Sequence, residues 1–192
     1  MSFGALSANA VRALNGGAKL GNFAQDTGEG SISPYHRERG GDLIWEIGSG
    51  YFGCRDAQGN FNEERFIENA SAEQVKMIEI KLSQGAKPGL GGLLPATKVT
   101  PEIAEIRGVA MGHDVVSPSR HTAFHDVDSM LDFVERVASE TGLPVGIKAA
   151  VGDPTFWHSL VESMRSGERG VDFVTIDGGE GGTEQSTIVS CI

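Results

Sequence analysis

Apolar positions in this chain come in short runs that end in glycine or polar residues, and helix-period patterns follow most of them. Met1-Ser2-Phe3-Gly4 reads as a strand end, and Ser7 can cap a helix through Val11 and Leu14. Phe23 to Asp26 reads as a short strand running into Thr27-Gly28-Glu29-Gly30. Leu43-Ile44-Trp45-Glu46-Ile47 is another, closed by Gly48-Ser49-Gly50. A helix is expected from about Ser71, where Ser71 and Gln74 fit a capping box. It leads into a strand in which Ile78, Ile80 and Leu82 alternate with Glu79, Lys81 and Ser83.

The second half repeats the scheme. Pro101 suits a first helical turn, with the helix running to Arg107-Gly108. Asp114-Val115-Val116 ends at Ser117-Pro118. Val127, Met130, Leu131, Val134, Val137 and Ala138 share one face of a helix that stops at Thr141-Gly142. Pro144 to Lys148 is the next strand, Pro154 to Met164 another helix, and Val171 to Ile176 an apolar run ending in Asp177-Gly178-Gly179. Strands alternating with helices predict an α/β fold around a parallel sheet, one domain over residues 1–192. Functional groups then belong where the strands end.

Composition narrows the setting. Hydrophobic residues make up 39%, enough for a packed core, and no run approaches the ~18 apolar residues of a membrane helix. Met1-Ser2-Phe3-Gly4 lacks the basic start of a signal peptide, so the expected location is cytoplasmic. A net charge of -10 argues against a general nucleic-acid binder. Cys54 and Cys191 make neither a disulfide framework nor a zinc set, and Cys54 is expected as a buried or half-buried thiol. The 27 glycines gather in clusters, which points to functional loops rather than a linker.

Those clusters coincide with charge. Gln84 and Lys87 lie just past a strand end, and Lys148 and Asp177 hold the same place on later strands. Lys81 and Lys148 are lone cations in apolar strands: each either snorkels to solvent or meets an anion in a shared hollow. The loop from Gly85 to Pro95 can offer backbone N–H groups to a phosphate or carboxylate, although no Gly-Lys-Ser/Thr closes it as in a P-loop. Asp177 to Thr183 invites close backbone approach to a ligand, and no G-x-G-x-x-G pattern marks a dinucleotide site. His121 and His125 are four apart but lack the glutamate of a zinc-protease helix, so they read as surface or hydrogen-bonded histidines, His121 near the rim. No metal site is expected.

Several of these segments together resemble one family, the FMN-binding synthase domain of glutamate synthases in its short, single-polypeptide form. They are MSFGALS at the start, DTGEG at Asp26, IGSGYFGC at Ile47, KLSQGAKPGLGGLLP at Lys81, VVSPSRH at Val115, VGIKAAVG at Val145 and TIDGGEGGT at Thr175. The resemblance implies a (β/α)8 TIM barrel and an oxidoreductase in which reduced FMN delivers hydride to the imine of 2-oxoglutarate and ammonia, giving L-glutamate. Carried over by motif, Met1, Ser2, Phe3 and Gly4 would lie beside the flavin, Lys148 at its N1/O2 edge, and Asp177, Gly178 and Gly179 along the cofactor. Lys81 and Gln84 would face flavin and substrate as the catalytic pair, and Lys87 would hold a carboxylate of 2-oxoglutarate.

The chain also departs from the pattern. Leu90 stands where the large enzymes have glutamate, and Glu184 to Thr187 diverge from the expected glycine and small residues. The cysteine cluster of the family's iron–sulfur centre is absent, and ammonia and an electron donor would come from elsewhere. A barrel of this type usually takes ~250 residues, whereas about six of its eight βα units are legible here. The expectation is a truncated segment with an open sheet edge, poor in solubility, open to self-association through that edge, and with weak or no FMN binding. An FMN barrel with another substrate, or a non-catalytic remnant, stays open as an alternative.

Overall fold

The structure, a computed structural model, describes residues 1–86 and 91–179. Lys87, Leu90 and the segment from Glu180 onward lie outside the described residues.

Ser7 accepts from the Ala10 N–H and opens α1 (Ala8–Gly21). Asn15 exchanges hydrogen bonds with both backbone groups of Gly41, which turns Val11, Asn15 and Ala18 inward. Leu14 on the same helix is exposed. The chain continues through β1 (Gln25–Asp26), α2 (Pro34–Arg37) and β2 (Leu43–Ile47) to α3 (Glu63–Ala70). This last helix corrects the expectation at Ser71. Asn62 is the N-cap, accepting from Arg65 N, and Ser71 closes the helix with its hydroxyl on the Glu68 carbonyl. The residues after Ser71 lead directly into β3 (Val75–Lys81).

Next come β4 (Leu93–Leu94), a short 3-10 turn, α4 (Pro101–Arg107) and β5 (Val115–Val116). Val115-Val116 is not a strand of the main sheet: it pairs antiparallel with Leu93-Leu94 in a separate two-stranded ribbon. Two residues with Val116 exposed bury too little to join the sheet core. α5 (Val127–Thr141) follows the predicted stripe, capped by Asp126 on Ser129 N and ended at Gly142, φ 67°. β6 (Val145–Ala149), α6 (Pro154–Met164) and β7 (Val174–Ile176) complete the described elements.

The main sheet has the order β1-β2-β3-β6-β7, every neighbouring pair parallel, and it curls as half of a barrel. This is an incomplete TIM-type α/β barrel, as expected, with five parallel strands in the main sheet among the described residues. Met1–Gly4 forms a turn, with Leu6 N donating to Ser2 O and Gly4 at φ 98°, rather than a strand end. On the convex face Leu43, Trp45, Ile47, Ile78, Ile80 and Ile147 are fully buried against the helices. Trp45 stacks on Phe66 at 5.4 Å, and Cys54 is buried, its thiol pushed up by desolvation. No described helix is long and apolar enough to cross a membrane.

Candidate functional site

The concave face collects the opposite parity of the same strands. Register pairs Lys81 with Lys148, so the two lysines stand on adjacent strands and on one face. Glu46 pairs with Glu79 one step below, Thr175 lies beside Lys148, and Asp26 is level with Ile44. Lone charges in apolar strands therefore converge, as the alternation requires.

They converge already paired. Lys81 Nζ lies 3.2 Å from Glu29 Oε1 and 3.1 Å from Gln84 Oε1. Lys148 Nζ lies 2.9 Å from Glu46 Oε2 and 3.6 Å from Asp177 Oδ1. The ammonium groups thus stand side by side on one face yet have separate carboxylate partners, whereas the sequence reading left each either to snorkel to solvent or to meet an anion in a shared hollow. Neither snorkels free: side-chain exposure is 12% for Lys81 and 18% for Lys148. A lysine ammonium has three donors, so each pairing orients the group and leaves capacity for a further acceptor.

The floor of the hollow is acidic. Carboxylate oxygens of Asp26, Glu46 and Glu79 lie within 4.8 Å of one another, a spacing a cation could bridge, although Lys148 already supplies positive charge at Glu46. Thr175 Oγ1 donates to Glu79 Oε1 at 2.6 Å. Burial pushes the Glu79 carboxyl up to about 8 against that hydrogen bond, with Asp26 and Glu46 adding to the rise. Burial would lower the Lys148 ammonium, but Glu46 and then Asp177 outweigh it, and its pKa is raised.

The rim loops meet through glycine. Asp177 Oδ2 accepts from Gly85 N at 2.7 Å, and a Cβ at Gly85 would come within 2.2 Å of the Gly178 carbonyl. Gly179 has no such neighbour. The Met1–Gly4 turn lies against Gly28 and Gly30, where a Cβ would meet Ser2 N at 2.5 Å and Ser2 Oγ at 2.2 Å. Met1 NH3⁺ reaches Asp26, and Phe3 packs edge-on to Tyr35 at 4.9 Å. The fold thus brings Lys81, Gln84, Lys148, Asp177 and Gly178 to one rim, with Met1–Gly4 beside it.

Four groups at this face were not singled out from sequence. Glu46 carried the same signal as Lys148, a lone charge in an apolar strand, and Glu79 shares the parity of Lys81. Glu29 sat inside a quoted motif without a role. Arg107 had no local signal: it closes α4 and reaches Ser2 Oγ and the Phe3 carbonyl at 3.5 and 3.4 Å. Its guanidinium lies 5.1 Å from the Phe52 ring centroid, burial lowers its pKa, and its Nε has no partner among the described residues. Against Lys81 lies a small recess of about 30 Å³, lined by Glu29, Ser49, Gln84, Gly92 and Ser117.

Fold and site define a class: a curled parallel α/β sheet of barrel type with charged groups gathered at the strand ends. A family model described as a conserved region in glutamate synthase matches residues 1–191. The chain belongs to the glutamate synthase family. It is 43% identical over 187 residues to the glutamate synthase large subunit-like protein YerD of Bacillus subtilis, covering 97% of this chain and 35% of that protein. Against the archaeal glutamate synthase (NADPH) of Methanocaldococcus jannaschii it is 35% identical over 190 residues, 95% of this chain and 33% of the relative. The archaeal-type glutamate synthase (NADPH) of Thermotoga maritima gives 33% over 186 residues, with shares of 95% and 33%. The chain therefore spans about a third of the length of these relatives.

Proposed function

We propose that this chain carries part of the FMN and substrate site of a glutamate synthase-type oxidoreductase, converting 2-oxoglutarate and ammonia to L-glutamate by reductive amination. The registered Lys81–Lys148 pair at adjacent strand ends, in a chain of this family, carries the reading. The residues fit an anionic, electron-rich ligand: two ammonium groups with spare donors, and glycines that bring backbone to the rim. FMN, held there in its reduced form, would supply hydride for the reduction of the imine.

The chain's own groups hold and orient. Lys148, fixed by Glu46 and Asp177, places a cation where negative charge gathers on the flavin edge. Met1, Ser2, Phe3, Gly4, Asp177, Gly178 and Gly179 line the cofactor. Lys81 and Gln84 present donors to the keto acid, Lys81 held by Glu29, and Lys87 takes a substrate carboxylate. In a protein loaded with FMN and reduced without oxygen, flavin absorbance should recover on adding 2-oxoglutarate with ammonia but with neither alone. Lys81→Met should slow that recovery about 100-fold. Equal rates with and without ammonia, or an unaffected variant, would defeat the reading.

A further inference from the structure

We propose that His121 and Tyr51 form a positioning pair that holds the C-terminal end of β3, and with it Lys81 and Gln84, for the chemistry of the rim; this rests on the reading of that rim as a substrate site. His121 is 8% exposed, and its ring stacks on Phe124 at 4.6 Å and meets Tyr51 edge-on at 5.3 Å. Its Nε2 lies 2.8 Å from the Lys81 carbonyl and its Nδ1 3.1 Å from Tyr51 Oη.

The protons in this chain can be assigned from what each atom is able to do. The Lys81 carbonyl only accepts, so Nε2 carries the hydrogen. In a neutral ring Nδ1 then accepts, and the Tyr51 hydroxyl must donate to it. That direction agrees with the rest of the hydroxyl's contacts, since Tyr51 Oη already accepts from Thr122 N and Ala123 N, each at 3.1 Å. A doubly protonated ring would aim Nδ1–H at an oxygen that already receives two N–H groups. Burial, which lowers the His121 pKa, acts in the same sense, although Glu29 lies near enough to oppose it.

The chain of bonds runs from the segment after Ser117 to the residue that carries the ammonium. Lys81 is fixed at its side chain by Glu29 and Gln84 and at its carbonyl by His121, while Leu82 N donates to Lys148 O at 2.8 Å. Tyr51 is buried at φ 48°, a conformation that non-glycine residues avoid and that persists where its surroundings fix it. A side chain that merely filled this space would need neither the tautomer nor the strain.

Long-range proton–nitrogen NMR on histidine-labelled full chain should find His121 neutral at neutral pH with its hydrogen on Nε2; in Tyr51→Phe the hydrogen should stay on Nε2, held by the Lys81 carbonyl, while the Nδ1 resonance shifts as that nitrogen loses its donor. A hydrogen on Nδ1 or a protonated ring would overturn the pair. Amide exchange at Leu82 should accelerate about tenfold or more in His121→Leu, and unchanged exchange would overturn the hold on β3. In the assay above, the saturating rate of flavin reoxidation should fall about 10- to 100-fold in His121→Leu, with the 2-oxoglutarate concentration at half-saturation little changed and His121→Gln restoring most of the loss. Equal saturating rates in the folded wild type and His121→Leu would also overturn it. If the wild type shows no turnover, the proposed reaction fails, while the NMR and exchange results still decide the positioning pair.

Discussion

The two faces of the β2–β3–β6 sheet are made by the same residues taken alternately, and they differ in every physical respect. The convex parity, Leu43, Trp45, Ile47, Ile78, Ile80 and Ile147, is dry and apolar, and it holds the helices to the sheet. The concave parity, Glu46, Glu79, Lys81 and Lys148, is charged, paired and partly wet. One face supplies stability; the other spends part of it to hold charge away from water. The comparison teaches that the site is not an addition to the fold. It is the other half of each strand's pattern.

The largest break should come on the dry side. Trp45→Ala removes a fully buried ring stacked on Phe66 and should cost about 3–5 kcal/mol in denaturant unfolding, the range for a large aromatic lost from a core. On the charged side, Glu46→Ala leaves Lys148 with only the longer contact to Asp177. A loss of about 2–3 kcal/mol is expected, below the ~3–5 kcal/mol of a fully buried pair because Lys148 stays partly exposed. Urea melts of Glu46→Ala and of Glu46→Ala with Lys148→Met separate the two terms, since the double variant should recover part of the loss.

Smaller and pH-dependent effects come next. Glu79, raised to about 8 by burial, keeps a proton in the folded chain that an unfolded carboxyl with a pKa of 4.5 releases. Its contribution is full below that unfolded value and is lost as pH rises through about 8. His36 has the opposite sign. Burial lowers it to about 4, so stability is lost as pH falls from its unfolded value of 6.5 towards that figure. Unfolding free energies across pH should therefore decline on both the acid and the alkaline side, with Glu79→Gln flattening the alkaline limb alone. The smallest effect sharpens the comparison at its margin. Val174 has the convex parity but is exposed on β7, at the end of the described sheet. Val174→Lys should change stability by no more than about 0.5 kcal/mol in the same urea melts.

Much of this was legible because period-2 alternation is a local signal. Lys81 against Ile80, and Lys148 after Ile147, announce a charged face without any knowledge of the partner strand. The stripe on α5 was equally plain. What alternation could not give was pairing. Glu29 meets Lys81, and Glu46 meets Lys148, across 52 and 102 residues of chain, and only the register of the closed crossovers brings them together. Arg107 lies farther still from any pattern, since it reaches the Met1–Gly4 turn from the end of a different helix. Ser71 misled because a hydroxyl can close a helix as readily as open one, and Asn62 held the stronger cap. Val115-Val116 misled because two valines satisfy a strand's composition without enough length to enter the sheet.

The central claim is that the concave face, with Lys148 held by Glu46, receives the electron-rich edge of a flavin. It is tested most directly by the midpoint potential of FMN bound to the protein, wild type against Lys148→Met. A fixed cation beside the ring favours the reduced form, so the account predicts a lower potential in the variant. Equal potentials in the two proteins would contradict it.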